Sequence, residues 1–312
     1  MSKFFNIGIV QVASTSMNPD VEARKKDHLS VMSFYIDHIC MLNPTIDLIV
    51  FPELYLNGCD SLNWNQLAET IPGPATEFLC KKAVQYKKWL IPGSMIEKRK
   101  GVEGTLNTSV LISPEGEIVL KYSKVFIPHP LEPSTPGFDF PVYEIPNVGK
   151  IGIMICADGQ IPEIGRNLAL NGAEIIIKPT FQGFWIGGLR NNVPICQTRA
   201  QENQCFIVSV NQAAPMGMGH SCVCDPEGRV IEELGSTESF FMVSLNLDEV
   251  KRARENGFLG MFPFFKMLRD FKEAGRPVDQ CYLKGLENAP VFQTLKGKAP
   301  VLPKEIKRFG EE

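Results

Sequence analysis

The sequence predicts one α/β domain with a C-terminal tail. Short apolar, β-branched runs alternate along the chain with segments whose apolar residues recur at helical spacing. No Ser/Gly-rich linker, internal repeat of 20–50 residues or low-complexity tract divides it. The composition, 44% hydrophobic and 21% charged over 312 residues, supplies enough apolar material for a large core.

Each element has its own signal. FNIGIVQVA (5–13) alternates as a first strand. A signal peptide is the other reading of this N-terminus, but Asn6 and Gln11 interrupt the apolar run and no small-residue cleavage site follows. Residues 21–42 carry apolar positions at helical spacing with charges between them. IDLIVFPE (46–53) reads as a strand ending on Pro52 and Glu53. Residues 74–86 form a helix with Pro near its start. Strands follow at 89–97, 106–125 and 150–156, with SPEG (113–116) as a hairpin turn. A helix from 162 to about 171 is stopped by Gly172. A strand (173–180), a helix (192–203), a strand (206–211), a second hairpin (220–234, turned by DPEG) and a last strand (240–247) complete the domain.

Several function classes are disfavoured. The formal charge of −3 leaves no overall basic surface for nucleic acid, and no apolar run approaches the roughly 18 residues of a membrane span. Nine scattered cysteines, an odd number, fit a reducing cytoplasm better than a disulfide framework. Cys222 and Cys224, one residue apart, suit one face of a core strand better than the wider spacing of a zinc site, even with His220 nearby.

IGIMICADGQIPEIGRN (151–167) places a thiol where an apolar strand ends and a helix is about to begin. A cysteine there is more often core filling than a nucleophile. Yet a strand-to-helix turn can expose a side chain while the next backbone N–H points at a developing oxyanion, and α/β folds place ligands at the carboxyl ends of strands. His28 and His38 read as surface or lining residues of the first helix, and neither His129 nor His220 has a carboxylate partner visible from spacing. A different set stands out. Glu53 ends a buried strand, where a carboxylate is costly without a partner. Lys124 ends another, and Glu132 follows in a Pro-rich loop. Taken singly, Glu53 reads as a helix cap and Lys124 with Glu132 as a solvated loop pair. Together with Cys156 they make a coherent set for acyl transfer.

FPELYLNG, KYSK…HPLEP and ICADGQIPE resemble the Glu, Lys and Cys blocks of the nitrilase superfamily of carbon–nitrogen hydrolases. The C-x-D-G-x-x-P-E form most resembles its aliphatic amidase and formamidase branch, as do RNLALNGAEIII, TRAQENQCFIVSVNQA and GHSCVCDPEGRV. The resemblance covers roughly residues 4 to 250. It implies a four-layer αββα sandwich, with Cys156 as nucleophile, Glu53 as general base, Lys124 and the Ala157 backbone N–H stabilising the tetrahedral intermediate, and Glu132 positioning substrate. It implies hydrolysis of a small primary amide without metal or organic cofactor, with nitriles and N-carbamoyl compounds as alternative substrates. Leu54 and Pro128 stand where typical aliphatic amidases have Tyr and Trp. These differences lie in pocket walls, which set acyl selectivity. The expected domains are a hydrolase unit over 1–250 and an extension over 251–312. The run of large apolar residues at 258–271 is expected at a homodimer or larger even-numbered contact, with folding back on its own domain as the alternative.

Overall fold

A computed structural model describes residues 4–16, 18–58, 63–129, 131–183, 192–257, 261 and 263–267. The first strand, β1 (Phe4–Gln11), shows how the fold is layered. Phe5, Ile7 and Ile9 enter one core while Val10 enters another. A strand buried on both faces needs a sheet on one side and helices on the other.

The first sheet contains β1, β2 (Leu48–Val50), β3 (Trp89–Ile91), β4 (Ser94–Glu97), β5 (Leu106–Ile112), β6 (Ile118–Ser123) and β13 (Ser239–Asn246). Its order is β13-β1-β2-β3-β5-β4, with β6 also paired to β5, and β1, β2 and β3 run parallel. The second contains β7 (Val142–Ile145), β8 (Gly149–Ile153), β9 (Ile175–Thr180), β10 (Phe206–Asn211), β11 (Cys222–Cys224) and β12 (Val230–Glu233), in the order β12-β11-β10-β9-β8-β7. Here β8, β9 and β10 are the parallel centre.

Ile7, Ile9 and Val50 of the first sheet share an inner core with Ile151, Ile153, Ile175 and Ile177 of the second. Helices α1 (Val21–Leu42) and α3 (Pro74–Tyr86) cover the outside of the first sheet through Met32, Ile36, Leu79 and Ala83. Helices α4 (Pro162–Leu170) and α5 (Asn192–Asn203) cover the second through Ile164, Leu168, Cys196 and Ala200. The architecture is therefore the expected four-layer αββα sandwich. Asp20 caps α1 by accepting from the Ala23 N–H at 2.8 Å.

The differences from expectation have local causes. The strand expected at 46–53 is regular only over β2, because Pro52 has no N–H and Leu54 takes a left-handed φ of 53°. The strand expected at 89–97 breaks at Pro92–Gly93 into β3 and β4, which both pair with β5. Gly93 has φ of 78°, and a Cβ there would lie 1.8 Å from the Pro52 carbonyl oxygen. The 106–125 segment is the expected hairpin, β5–β6, turned at Ser113–Gly116. The short α2 (Trp64–Leu67), β7 and α6 (Asp248–Asn256) carry too little pattern to be read in advance. His28 is a correction: it is buried, with Nδ1 at 3.0 Å from the Leu56 carbonyl and Nε2 accepting the Ser16 N–H. Cys222 and Cys224 both face the outer core under α5, as expected of a core strand. Helix α6 crosses residue 250. Beyond it, Phe265 lies under the guanidinium groups of Arg166 and Arg254, at 5.3 and 5.4 Å, on the chain's own domain. The rest of the expected extension, including most of 258–271, lies outside the described residues.

Candidate active site

The parallel strands β2 and β8 and the antiparallel strand β6 each lead into one site. Glu53 follows β2, Lys124 follows β6, and Cys156 follows β8 in a 3-10 turn spanning Cys156–Gln160. Glu53 and Lys124 are each 2% exposed, and Glu132 is buried beside them. Lys124 Nζ donates to Glu53 Oε1 at 2.8 Å and to Glu132 Oε2 at 2.5 Å. Asn107 of β5 bridges the same carboxylates, its Nδ2 donating to Oε1 of each at 2.9 Å. The other Glu53 oxygen accepts the Phe181 N–H at 2.7 Å.

One ammonium between two carboxylates sets the electrostatics. Burial works to strip the proton from Lys124, but the Glu53 and Glu132 charges outweigh it and hold the pKa well above the ordinary lysine value. Two of its three N–H groups are committed to carboxylates, and among the described residues the third has no partner.

Cys156 sits at φ +45°, in the left-handed region, a strained position for a residue with a side chain. Asp158 holds it there. Its Oδ2 accepts the Ile155 N–H at 2.8 Å and the Tyr122 hydroxyl at 2.7 Å. Its Oδ1 accepts the Val125 and Phe126 N–H groups at 3.1 and 2.8 Å. One fully buried carboxylate thus staples the cysteine turn to the segment that carries Lys124. Burial pushes its pKa up to about 6, despite these donors. Asp158→Asn would turn an NH2 toward either Ile155 and Tyr122 or the two backbone donors. It is expected to cost about 2–4 kcal/mol of stability, read by urea denaturation; a loss below about 0.5 kcal/mol would refute the staple.

Cys156 and Ala157 line a cavity of about 380 Å³ together with Glu53, Lys124 and Glu132. Leu54, Trp64, Phe126 and Leu131 supply its apolar walls. That volume suits a small molecule. Cys156 is only partly covered, and its open side is the cavity. Protein atoms nonetheless crowd its sulfur: burial first, and the Glu53 charge second, push the thiol from near 9 up to about 12, against Lys124 and Lys178. The thiol is 3.9 Å from the Phe181 carbonyl, a weak contact. Neither His129 nor His220 lines the cavity. His220 has a carboxylate partner that spacing did not disclose, Glu233, 2.8 Å from its Nδ1.

A family model described as carbon-nitrogen hydrolase matches residues 7–255. The chain belongs to the carbon–nitrogen hydrolase family. This carbon–nitrogen hydrolase is 30% identical over 254 residues to a probable nitrilase of Schizosaccharomyces pombe, covering 78% of this chain and 92% of that protein. It is 36% identical over 221 residues to an (R)-stereoselective amidase of a Pseudomonas species, covering 67% and 77%. Its fold matches the crystal structure of Saccharomyces cerevisiae Nit3, a member of branch 10 of the nitrilase superfamily. That match has a TM-score of 0.73 at 25% identity and covers 81% of this chain and 94% of Nit3. The chain is thus an enzyme of carbon–nitrogen bond hydrolysis.

Sequence reasoning about this hydrolase missed Asn107, the Phe181 N–H and Lys178. Asn107 is a polar residue in the fully buried β5, and Lys178 a cation inside the fully buried β9. Those two misfits were visible signals. The raised Cys156 pKa makes a testable statement. Below pH 12 the free thiol is mostly protonated, so its reactive fraction grows about tenfold per pH unit. Alkylation of Cys156 by iodoacetamide is expected to keep rising through pH 10. A rate that has levelled off by pH 10, as that of a thiol titrating near 9 does, would contradict it.

Proposed function

We propose that this carbon–nitrogen hydrolase is a cysteine amidohydrolase that cleaves a small primary amide to carboxylate and ammonia through a thioester. The observation that carries the reading is the buried Lys124, held between Glu53 and Glu132 on the wall of the cavity that Cys156 enters.

The Cys156 sulfur attacks the amide carbon as the thiol proton passes to a Glu53 oxygen. A thiol held near 12 is a poor nucleophile unless a base takes its proton during attack. The carbonyl oxygen becomes an oxyanion, met by the third N–H of Lys124 and the Ala157 backbone N–H. Glu53 returns the proton to the leaving nitrogen, the C–N bond breaks, and ammonia departs. Water, deprotonated by Glu53, attacks the thioester. The C–S bond breaks, Glu53 returns its proton to the sulfur, and the product leaves as a carboxylate with its acid proton passing to solvent. Glu132 fixes Lys124 and the amide without exchanging protons. No step calls on a metal or organic cofactor.

Ammonia release across a panel from formamide to bulky amides tests the reading, with a nitrile and an N-carbamoyl amine alongside. Release from a primary amide with a matching carboxylate product supports it. Turnover confined to the nitrile or the carbamoyl compound would move the chain to those relatives' chemistry, and none at all would overturn it.

Two further expectations belong to the same reading. Cys40, Cys80, Cys156, Cys196, Cys205, Cys222 and Cys224 are free thiols, which supports a cytoplasmic enzyme. Among the described residues no helix is long and apolar enough to cross a membrane. The outer face of α1 exposes Phe34, Met41 and Leu42, and such a patch suits a contact between copies of the chain. Light scattering at micromolar concentration is expected to find a dimer or a larger even-numbered assembly. A clean monomer would refute it.

A further inference from the structure

Four lysines are buried among the described residues: Lys25, Lys121, Lys124 and Lys178. Lys25 pairs with Glu22 and Glu69, Lys121 with Glu97, and Lys124 with Glu53 and Glu132. Lys178, 3% exposed, has no carboxylate within ion-pair distance among the described residues. Its Nζ donates to Asn192 Oδ1 at 2.6 Å and to Thr180 Oγ1 at 3.0 Å, both uncharged. Two N–H groups are thereby used, and among the described residues the third has no partner.

The surroundings add positive potential. Asn192 opens α5, and the first turn of that helix holds no acidic residue. A helix N-terminus carries partial positive charge, so a lysine is misplaced there unless an anion joins it. Its stem also has room made for it. A Cβ at Gly159, in the cysteine turn, would lie 2.5 Å from Lys178 Cε. The turn that presents Cys156 therefore also leaves passage for this lysine. Lys178, Thr180 and Asn192 line the same cavity as Cys156.

A purely structural strap between β9 and α5 would not need a charge, because burying an ammonium without a counterion is costly and a neutral donor would make the same bonds. The oxyanion already has Lys124. Among the described residues, the cavity holds no partner for the second cation. We propose that Lys178, with Thr180 and Asn192, forms the anion-recognising end of the substrate cavity, and that the amide hydrolysed at Cys156 carries a carboxylate on its acyl chain. This rests on the amidohydrolase reading. The apolar walls formed by Leu54, Trp64 and Phe126 take the methylenes between the two ends, and a cavity of about 380 Å³ admits only a short chain. The carboxylate supplies the countercharge that no described residue gives Lys178.

Two measurements test it in the full-length protein, with circular dichroism checking each variant's fold. The first compares ammonia release from succinamate and from its uncharged methyl ester. Wild type is expected to prefer succinamate at least tenfold in kcat/KM. Lys178→Met should lower that preference roughly 10- to 100-fold, the range of a charge-assisted hydrogen bond. Asn192→Asp, which keeps the lysine and places a carboxylate beside its Nζ, should do the same and carries the test if Lys178→Met does not fold. A wild-type enzyme that prefers the ester, or a preference unchanged in both variants, would overturn the proposal.

The second measurement needs no turnover. Cys156 is alkylated with iodoacetate or iodoacetamide: the sulfur displaces iodide, an S–C bond forms, and the thiol proton leaves to solvent. The rate ratio of the anionic to the neutral reagent should fall in both variants by a similar factor. A charge-dependent ratio without amide turnover would overturn the amidohydrolase reading and uphold the anion site. Amide turnover with a ratio indifferent to Lys178 would do the reverse.

Discussion

Cys156→Ser is expected to abolish amide turnover, by roughly 10,000-fold or more, while leaving the fold intact. A serine hydroxyl is far less acidic than a thiol. The Cys156 site already raises the proton's affinity to about 12 through burial and the Glu53 charge, so an alkoxide there is further out of reach. The stability cost should stay within about 1 kcal/mol. The thiol contributes only a 3.9 Å contact to the Phe181 carbonyl and faces an open cavity, and serine keeps the Cβ and the strained backbone. Wild-type protein quenched during turnover should carry an acyl adduct on Cys156 by mass spectrometry. An adduct on Cys196 or Cys205 instead would sink the assignment. Both are fully buried in the outer core, so such a result would also mean the protein opens to react.

Glu53→Gln is the second large effect, with an expected loss of 100- to 10,000-fold in kcat, the usual range for removing a general acid–base group. The isosteric amide cannot accept the thiol proton. Nor can it satisfy its neighbours: the carboxylate accepts from Lys124, Asn107 and the Phe181 N–H, and an NH2 group must face one of these donors. The loss should appear in kcat for every substrate alike. Glu132→Gln should behave differently. It weakens the clamp on Lys124 from the side away from the proton transfer, so KM should rise along with any fall in kcat, and Cys156 should still react with iodoacetamide. Near-normal turnover by Glu53→Gln would show that the base is another group.

The alternation of Ile7, Ile9 and Val10, and of Ile175, Ile176 and Ile177, was legible because a residue on a pleated strand must face one side or the other. Turn chemistry placed the two hairpins. The reading failed where tertiary contacts override local pattern. Pro92 and Gly93 look like an irregularity within one strand, but the crowding of Gly93 against the Pro52 carbonyl divides it into two. His28 read as a surface or lining residue of the first helix, and the chain passing over it at Ser16 and Leu56 buries it.

The candidate site divides in the same way. Glu53, Lys124 and Cys156 were found from sequence because each is a reactive or charged side chain where an apolar run stops, and such residues are expensive there without a purpose. By itself the sequence determined which residue types stand at the strand ends, which segments are apolar enough to be buried strands, and the family whose motifs they match. The tertiary structure alone decided how the charges pair. Phe181 reaches Glu53 across 128 positions, and Gln212 reaches the Glu53 carbonyl across 159. Asp158, two residues after the thiol, is the staple between two strand ends. Lys124 and Lys178 are each one cation within an apolar stretch, yet among the described residues one is held by two carboxylates and the other by none. Periodicity constrains only neighbours a few residues apart, whereas a buried charge answers to whatever the folded chain brings within about 4 Å. Those partners exist only once both sheets have packed.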